Sequence, residues 1–359
     1  MIIKSSYLTL NWTDKLLLWY SENKRSFIWR TTKEPYHIWI SEVILQQTRT
    51  SQGLPYYKNF LKAFPLLSDL ATADENEVLK LWQGLGYYSR ARNLHATAKY
   101  IHFECAGIFP SSFDDLIKLK GVGDYTASAI ASICYDIPEA VVDGNVYRFL
   151  ARYFGIDTPI NSSPAHKLFK AKAMDLIDRQ KPGDFNQALM EFGAIQCTPK
   201  NPTCQGCPFS IKCVAFNQDK IATLPFKIKK AKIKKRHFNY LVISDKKNRY
   251  LIEQRTQKGI WQKLYQFPLL ESDQEINNTN SLINHHNFPS IQALSESEII
   301  LWNSEPILHK LSHQILWVHF WILPTNESFK EGLSLKQLES LPVPVIIQNF
   351  MKIFFSFAP

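Results

Sequence analysis

Four cysteines, Cys197, Cys204, Cys207 and Cys213, fall within seventeen residues in the spacing C-x6-C-x2-C-x5-C. Four thiolates this close in sequence can enclose one iron–sulfur cluster, whose ligands come as compact runs of cysteine. Zinc stays an alternative, although zinc ribbons present two separate C-x2-C knuckles and only one pair here has that spacing. Pro199, Pro202 and Pro208 stand between the four, so the stretch is expected to be a stiff loop wrapped around something. Two acids are the next candidates. Asp143, in Val141-Val142-Asp143-Gly144-Asn145, stands where a loop should enter a helix, and Glu42, in Ser41-Glu42-Val43-Ile44-Leu45-Gln46-Gln47-Thr48, in the first turn of one. Taken singly, Asp143 could be an ordinary N-cap and Glu42 a surface acid stabilised by the helix dipole.

The run Leu119-Lys120-Gly121-Val122-Gly123-Asp124-Tyr125-Thr126-Ala127 sits between two helical patterns, 113–119 and 126–133. Gly121 and Gly123 let the turn adopt conformations that other residues avoid and let its backbone approach a ligand closely. The second helix would then begin with unpaired N–H groups at its positive end, a natural phosphate site. A helix–hairpin–helix of this kind grips DNA through its backbone without reading sequence. An ordinary turn between two helices is the plainer alternative.

The elements that must position these residues are helical to about residue 215. Segments 39–48, 75–83 and 165–179 carry apolar residues at three- and four-residue spacing, punctuated by Glu34-Pro35, Gly84 to Gly86 and Gly107 to Pro110. Residues 227–236 then hold seven basic side chains, either a solvated spacer or a segment that neutralises phosphates. Beyond them the period changes. Residues 237–243, 249–254, 307–311 and 315–323 read as strands, while 271–286 has no clear pattern. The layout predicts an all-α N-terminal domain, a basic linker and an α+β C-terminal domain.

A net charge of +10 over 359 residues points to a polyanionic partner, nucleic acid ahead of a membrane surface. No run of eighteen apolar residues occurs, and the opening MIIKSSYLTLNW lacks the apolar core of a signal peptide. Cys105 and Cys134 remain as free thiols of a reducing compartment, so a cytoplasmic protein is expected.

Trp29-Arg30, Pro35-Tyr36, the runs 38–48, 82–92 and 142–146, and Asn186 to Glu191 ahead of the cysteines together carry a family likeness over nearly the whole chain. The sequence resembles the helix–hairpin–helix, iron–sulfur DNA glycosylases, and among them the adenine DNA glycosylases of the MutY type. That resemblance implies a multi-domain α plus α+β protein. A helical glycosylase domain would span 1–218 with a [4Fe-4S] loop at 197–213. A basic linker would cover 219–236 and a Nudix-like domain 237–359. It implies a monomeric bacterial enzyme of base excision repair, working in the cytoplasm on nucleoid DNA. Its substrate would be double-stranded DNA with adenine mispaired with 8-oxoguanine or guanine, and it would hydrolyse the N-glycosidic bond of that adenine.

The related endonuclease III type also cuts the backbone, through a hairpin lysine that forms a Schiff base. Tyr125 occupies that position here and Lys120 lies on the other side of the glycines, which favours a monofunctional enzyme. The resemblance assigns Glu42 as the general acid toward N7 of adenine. Asp143 becomes the carboxylate under the cationic sugar, in the two-carboxylate logic of glycoside hydrolysis. Glu42 must then be buried to hold its proton near neutrality, with Trp29, Leu45 and Trp39 helping to build the pocket. Tyr125 and Asn145 would orient the carboxylates, Arg30 and Gln187 would meet the adenine edge, and Gln47 and Tyr87 would wedge between bases as the nucleotide flips out. Cys197, Cys204, Cys207 and Cys213 would bind the cluster, Gly121 and Gly123 the DNA backbone. Arg90, Arg92, Lys200 and Lys212 would add contacts to phosphates.

Residues 237–359 resemble the Nudix-like domain with which this family recognises 8-oxoguanine. The glutamate-rich metal helix of Nudix hydrolases is missing, which argues against pyrophosphate hydrolysis. Where the family carries Phe-Ser-His, this chain has Leu311-Ser312-His313. Ser312 and His313 keep the polar contacts, but leucine replaces the aromatic ring, so lesion selectivity is the property in question. A pyrimidine glycosylase/lyase, a non-catalytic iron–sulfur DNA-binding or redox-sensing protein and a Nudix nucleotide hydrolase are the rivals.

Overall fold

The computed structural model describes residues 7–228, 233–289 and 299–356. The chain forms two compact units, Met1–Thr72 with Asn93–Lys230, and Ala73–Arg92 with Ala231–Pro359. Multi-domain α plus α+β architecture is what the sequence predicted.

The first unit is helical. Its site rests on helices Trp12–Asn23, Pro35–Leu45, Asp124–Tyr135, Gly144–Phe154 and Pro182–Glu191. Pro35 opens its helix at a position where a missing N–H costs nothing. Nearly every residue of that helix is buried, because neighbours pack on both of its faces. Glu42 therefore lies in the buried C-terminal half of the helix, not in an exposed first turn as the sequence suggested. Asp143 is an N-cap, as expected. Its carboxylate accepts from the backbone N–H groups of Asn145 and Val146. Around Phe149 an aromatic cluster ties the first helix to the cysteine loop: ring centroids lie 5.6 Å from Trp12, 4.3 Å from Phe192 and 5.2 Å from Phe209. Phe192 opens a π-helical turn, Phe192–Gln196, that leads straight into Cys197. Such turns recur at functional sites.

The second unit is built on a sheet in which Leu269–Ser272, Lys234–Ser244, Gln314–Pro324 and Ile300–Leu301 lie side by side in that order, with Ile307–Lys310 also on Gln314–Pro324. Here β1 is Lys234–Ser244, β2 Glu253–Gln254, β3 Tyr265–Gln266, β4 Leu269–Ser272, β5 Ile300–Leu301, β6 Ile307–Lys310 and β7 Gln314–Pro324. Strands β1 and β7 run parallel from the Lys234–Gln314 pair to the Ser244–Pro324 pair. Both are buried through their middles, at 238–243 and 318–321, since helix Val345–Phe354 covers one face and a cluster around Leu241, Leu270, Leu282 and Trp321 the other. The patternless stretch 271–286 includes the end of β4 and a short helix, Thr279–Ile283. Residues 73–92 belong to this unit through specific bonds. Lys80 Nζ donates to the carbonyls of Glu339 and Leu341, at 2.6 and 2.9 Å, and Arg92 to that of Gln262, at 2.8 Å.

Of the stretch expected as a linker, Leu224 and Phe226 are tied to the first unit by bonds from Arg152 and Ile160, and Lys234–Arg236 open β1. Residues 229–232 lie outside the described residues. Among the described residues no helix is long and apolar enough to cross a membrane.

Candidate active site

A cavity of about 180 Å³ in the first unit is lined by Trp29, Arg30, Glu42, Leu45, Tyr125, Asp143, Asn145 and Gln187, eight of the residues singled out from the sequence. Arg25, Met190 and Glu191 complete much of its wall. Burial raises the Glu42 carboxyl to about 6, and the nearby Asp143 charge pushes the same way. The Tyr125 hydroxyl opposes both by donating to Glu42 Oε2 at 2.7 Å. It also lies 3.2 Å from Met190 Sδ. Asp143 is raised by burial as well, but more donors restrain it. Asn145 N and Val146 N meet Oδ1 and Asn145 Nδ2 meets Oδ2, each at 2.8 Å, with the Arg148 charge close by. Two carboxyls share one cavity. The one with a single donor is suited to hold a proton, the one with three to stay an anion.

Arg30 sits between aromatic faces and an acid. Its guanidinium lies over Phe27 and Tyr20 and donates to Glu191 Oε2 at 2.9 Å. Arg25 binds the same carboxylate through its backbone N–H, Nε and Nη2. Burial alone would raise Glu191, yet these bonds hold it at about 2. Trp29 is buried, stacked on Phe27 at 4.8 Å and set edge-on to Tyr57. The Tyr20 hydroxyl donates to Gln187 Oε1 at 3.0 Å.

Cys197, Cys204, Cys207 and Cys213 all line one small pocket, walled by Phe149, Phe192 and Phe209. Among the described residues no three or more His, Cys, Asp or Glu groups close on a single metal-ion position. The donor set nevertheless fits a cluster. Burial raises Cys207, to about 12, and Cys213, but backbone N–H groups of Phe209, Ala215 and Phe216 oppose it by favouring the thiolates. Arg152 Nη1 approaches Cys197 Sγ at 3.6 Å. Amide and guanidinium donors around sulfur are how a protein tunes such a group. Arg148 joins this loop to the catalytic candidates, giving Nε to the Cys197 carbonyl at 2.7 Å and Nη2 to Asn145 Oδ1 at 2.8 Å.

In the hairpin, Gly121 has φ of +80° and its α-carbon faces the Asn93 side chain so closely that a Cβ would lie 2.6 Å away. Gly123 is the N-cap of helix Asp124–Tyr135, with no side chain capping it and open space over its α-carbon. Gln47 lies outside the cavity lining and adopts φ of +57°.

The second unit brings Tyr87, Ser312 and His313 together in a cleft that also includes Tyr88, Trp261 and Leu311. Tyr87 has φ of +47°, and its hydroxyl is hydrogen-bonded to Ser312 Oγ. Arg90 and Arg92 do not stand ready for phosphates, as the sequence had suggested. Arg90 is buried over Trp82 and donates to the carbonyls of Leu85 and Gly86, and Arg92 is held by Gln262.

Residues 40–177 match the HhH-GPD superfamily base excision DNA repair protein family, and 239–352 match the NUDIX domain. An adenine DNA glycosylase of Buchnera aphidicola subsp. Schizaphis graminum (strain Sg) is 35% identical over 94% of this chain and 97% of its own. The chain belongs to the adenine DNA glycosylase family. The Mus musculus adenine DNA glycosylase is 43% identical over 57% of this chain and 42% of its own length. A thermostable thymine-DNA glycosylase superposes with a TM-score of 0.54 at 30% identity, covering 57% of this chain and 95% of that one. A trapped endonuclease III–DNA covalent intermediate, at 20% identity and a TM-score of 0.51, shares the fold.

For a member of this family, sequence reasoning missed Arg25, Met190 and Glu191. Glu191 ends the quoted 186–191 run, but an acid at a helix end carries no sign of being pinned by two arginines from elsewhere in the chain. Gly193 was missed too. A Cβ there would lie 2.5 Å from the Asn145 carbonyl oxygen, so the π-turn can pack against the first turn of helix Gly144–Phe154 only through a glycine.

Proposed function

We propose that this chain is a monofunctional adenine DNA glycosylase acting on adenine opposite 8-oxoguanine or guanine in duplex DNA. The observation that carries this reading is the shared cavity of Glu42 and Asp143, with opposite electrostatic support for the two carboxyls. The flipped adenine enters beside Trp29 and Arg30. Glu42 gives its proton to N7, which turns the base into a leaving group. The C1′–N9 bond breaks with its electron pair going to the base, and Asp143 faces the cationic sugar while water adds to C1′ and gives up a proton that restores the Glu42 acid. Tyr125 and Asn145 act as positioning residues for the two carboxyls. Met190 and Leu45 keep the base side of the cavity apolar, which helps Glu42 stay protonated.

No lysine lines the cavity among the described residues, which supports hydrolysis without an imine. Cys197, Cys204, Cys207 and Cys213 would hold a [4Fe-4S] cluster, which when bound would cross-link the loop. Arg148 and Arg152 hold that loop against helix Gly144–Phe154 through the carbonyls of Cys197, Thr198 and Pro199. Reading of 8-oxoguanine falls to the second unit through Ser312 and His313, with Tyr87 as wedge. Gly121 and Gly123 hold the DNA backbone. The protein works as a cytoplasmic monomer on DNA.

Duplexes with adenine opposite 8-oxoguanine, guanine or thymine test the reading. Adenine should be freed opposite the two purines, strand breaks should appear only after alkali, and borohydride should trap no enzyme–DNA adduct. Leu311→Phe should widen the preference for 8-oxoguanine over guanine. A borohydride-trapped adduct would restore the lyase reading.

A further inference from the structure

The hairpin of this chain carries an acid at the first position of its second helix. Asp124 follows Gly123 directly, at the end where unpaired N–H groups should receive a phosphate. A carboxylate there repels that phosphate and can compete for the same donors. The carboxylate is paired with a side-chain cation. Lys170, from helix Ala165–Leu176, places Nζ 3.1 Å from Asp124 Oδ1, 2.7 Å from Ser128 Oγ and 3.1 Å from Glu139 Oε2. An ammonium has three N–H donors, and these three acceptors use all of them. Nζ also lies 5.0 Å from the Phe113 ring, and the side chain is only 16% exposed. Lys170 is thus a built-in counter-ion, not a free arm reaching into solvent. His166 Nε2 stands 3.2 Å from the same Asp124 oxygen and is more exposed.

We propose that Lys170 is a positioning residue for DNA binding: it holds the Asp124 carboxylate off the hairpin so that a backbone phosphate can dock on the N–H groups behind Gly121 and Gly123. This rests on the reading above that the hairpin holds the DNA backbone. Lys170 acts through Asp124, so its removal matters only while the acid is present. A lysine that met the phosphate itself would matter equally with or without Asp124.

The test is a double-mutant cycle on the affinity of full-length protein for a duplex with a stable abasic-site analogue, read by fluorescence anisotropy at low salt. Lys170→Met should weaken binding by roughly two- to fivefold, the scale of one charge at a helix terminus. Asp124→Asn should bind at least as tightly as wild type, and the double variant should match Asp124→Asn. An equal loss from Lys170→Met in both backgrounds would overturn the proposal by making Lys170 a direct phosphate contact. No loss in either would overturn it too. Should Lys170→Met unfold by circular dichroism, Lys170→Gln, which keeps a donor for Ser128, enters the same cycle. Because this duplex offers no adenine to release, a failed glycosylase assay leaves the cycle standing, and a failed cycle leaves the glycosylase reading standing.

Discussion

The Tyr125 hydroxyl donates to Glu42 Oε2 at 2.7 Å, and that bond works against the burial that keeps Glu42 protonated. The proposed mechanism needs the acid form of Glu42, so the rate should fall as pH rises through about 6. In Tyr125→Phe the ionised form loses a donor and the Glu42 value rises further. Single-turnover excision rates across pH 5 to 9 should show the alkaline fall moved upward by about one pH unit. A profile unchanged in position would mean that the hydroxyl does not tune the acid.

Glu191 is held at about 2 by Arg25 and Arg30, below the carboxylate's ordinary 4.5. A depressed folded-state value stabilises the fold above the unfolded value, and that contribution is lost as pH falls toward 2. It amounts to about 3 kcal/mol. Urea unfolding at pH 7 should show Glu191→Ala less stable by roughly 3–5 kcal/mol, because two guanidinium groups lose a buried partner. The difference between the two proteins should shrink at pH 3. A constant difference would show that packing, not the ion pair, is what the substitution removes.

Gly193 and Arg148 make the contact between the cysteine loop and Asn145, in the first turn of helix Gly144–Phe154. In Gly193→Ala a new Cβ would meet the Asn145 carbonyl, and in Arg148→Ala both the Cys197 carbonyl and Asn145 Oδ1 lose a donor. Each should slow the single-turnover excision step by at least about tenfold, the scale set by a displaced catalytic group. Binding of an abasic-analogue duplex should change little. Iron and sulfide content measured on the same samples separates misplacement from loss of the cluster.

The fold was legible where local chemistry sets it. Asp143 read as an N-cap because a short acid before Gly144-Asn145 can cap little else, and the β-branched and aromatic runs in 237–243 and 315–323 match two strands, which pair in parallel. Glu42 read wrongly as a first-turn acid because the helix begins earlier, at Pro35, and its burial depends on helices distant in sequence. The clamp of Arg25 and Arg30 on Glu191 spans more than 160 residues, so no window of sequence holds it. Arg90 and Arg92 sat in a basic motif and looked ready for phosphate. Arg90 turns back on the Leu85 and Gly86 carbonyls of its own motif, and Arg92 is held by Gln262, 170 residues away, beyond any local window.

Release of free adenine from a duplex with adenine opposite 8-oxoguanine, by wild type and Glu42→Gln under single turnover at pH 6, tests the two-carboxyl reading most directly. Wild type should release it, and Glu42→Gln should be slower by roughly a hundred- to ten-thousand-fold while binding the duplex normally. Equal rates would take the proton-donor role from Glu42, and no release by wild type carrying its cluster would leave a DNA-binding protein without this activity.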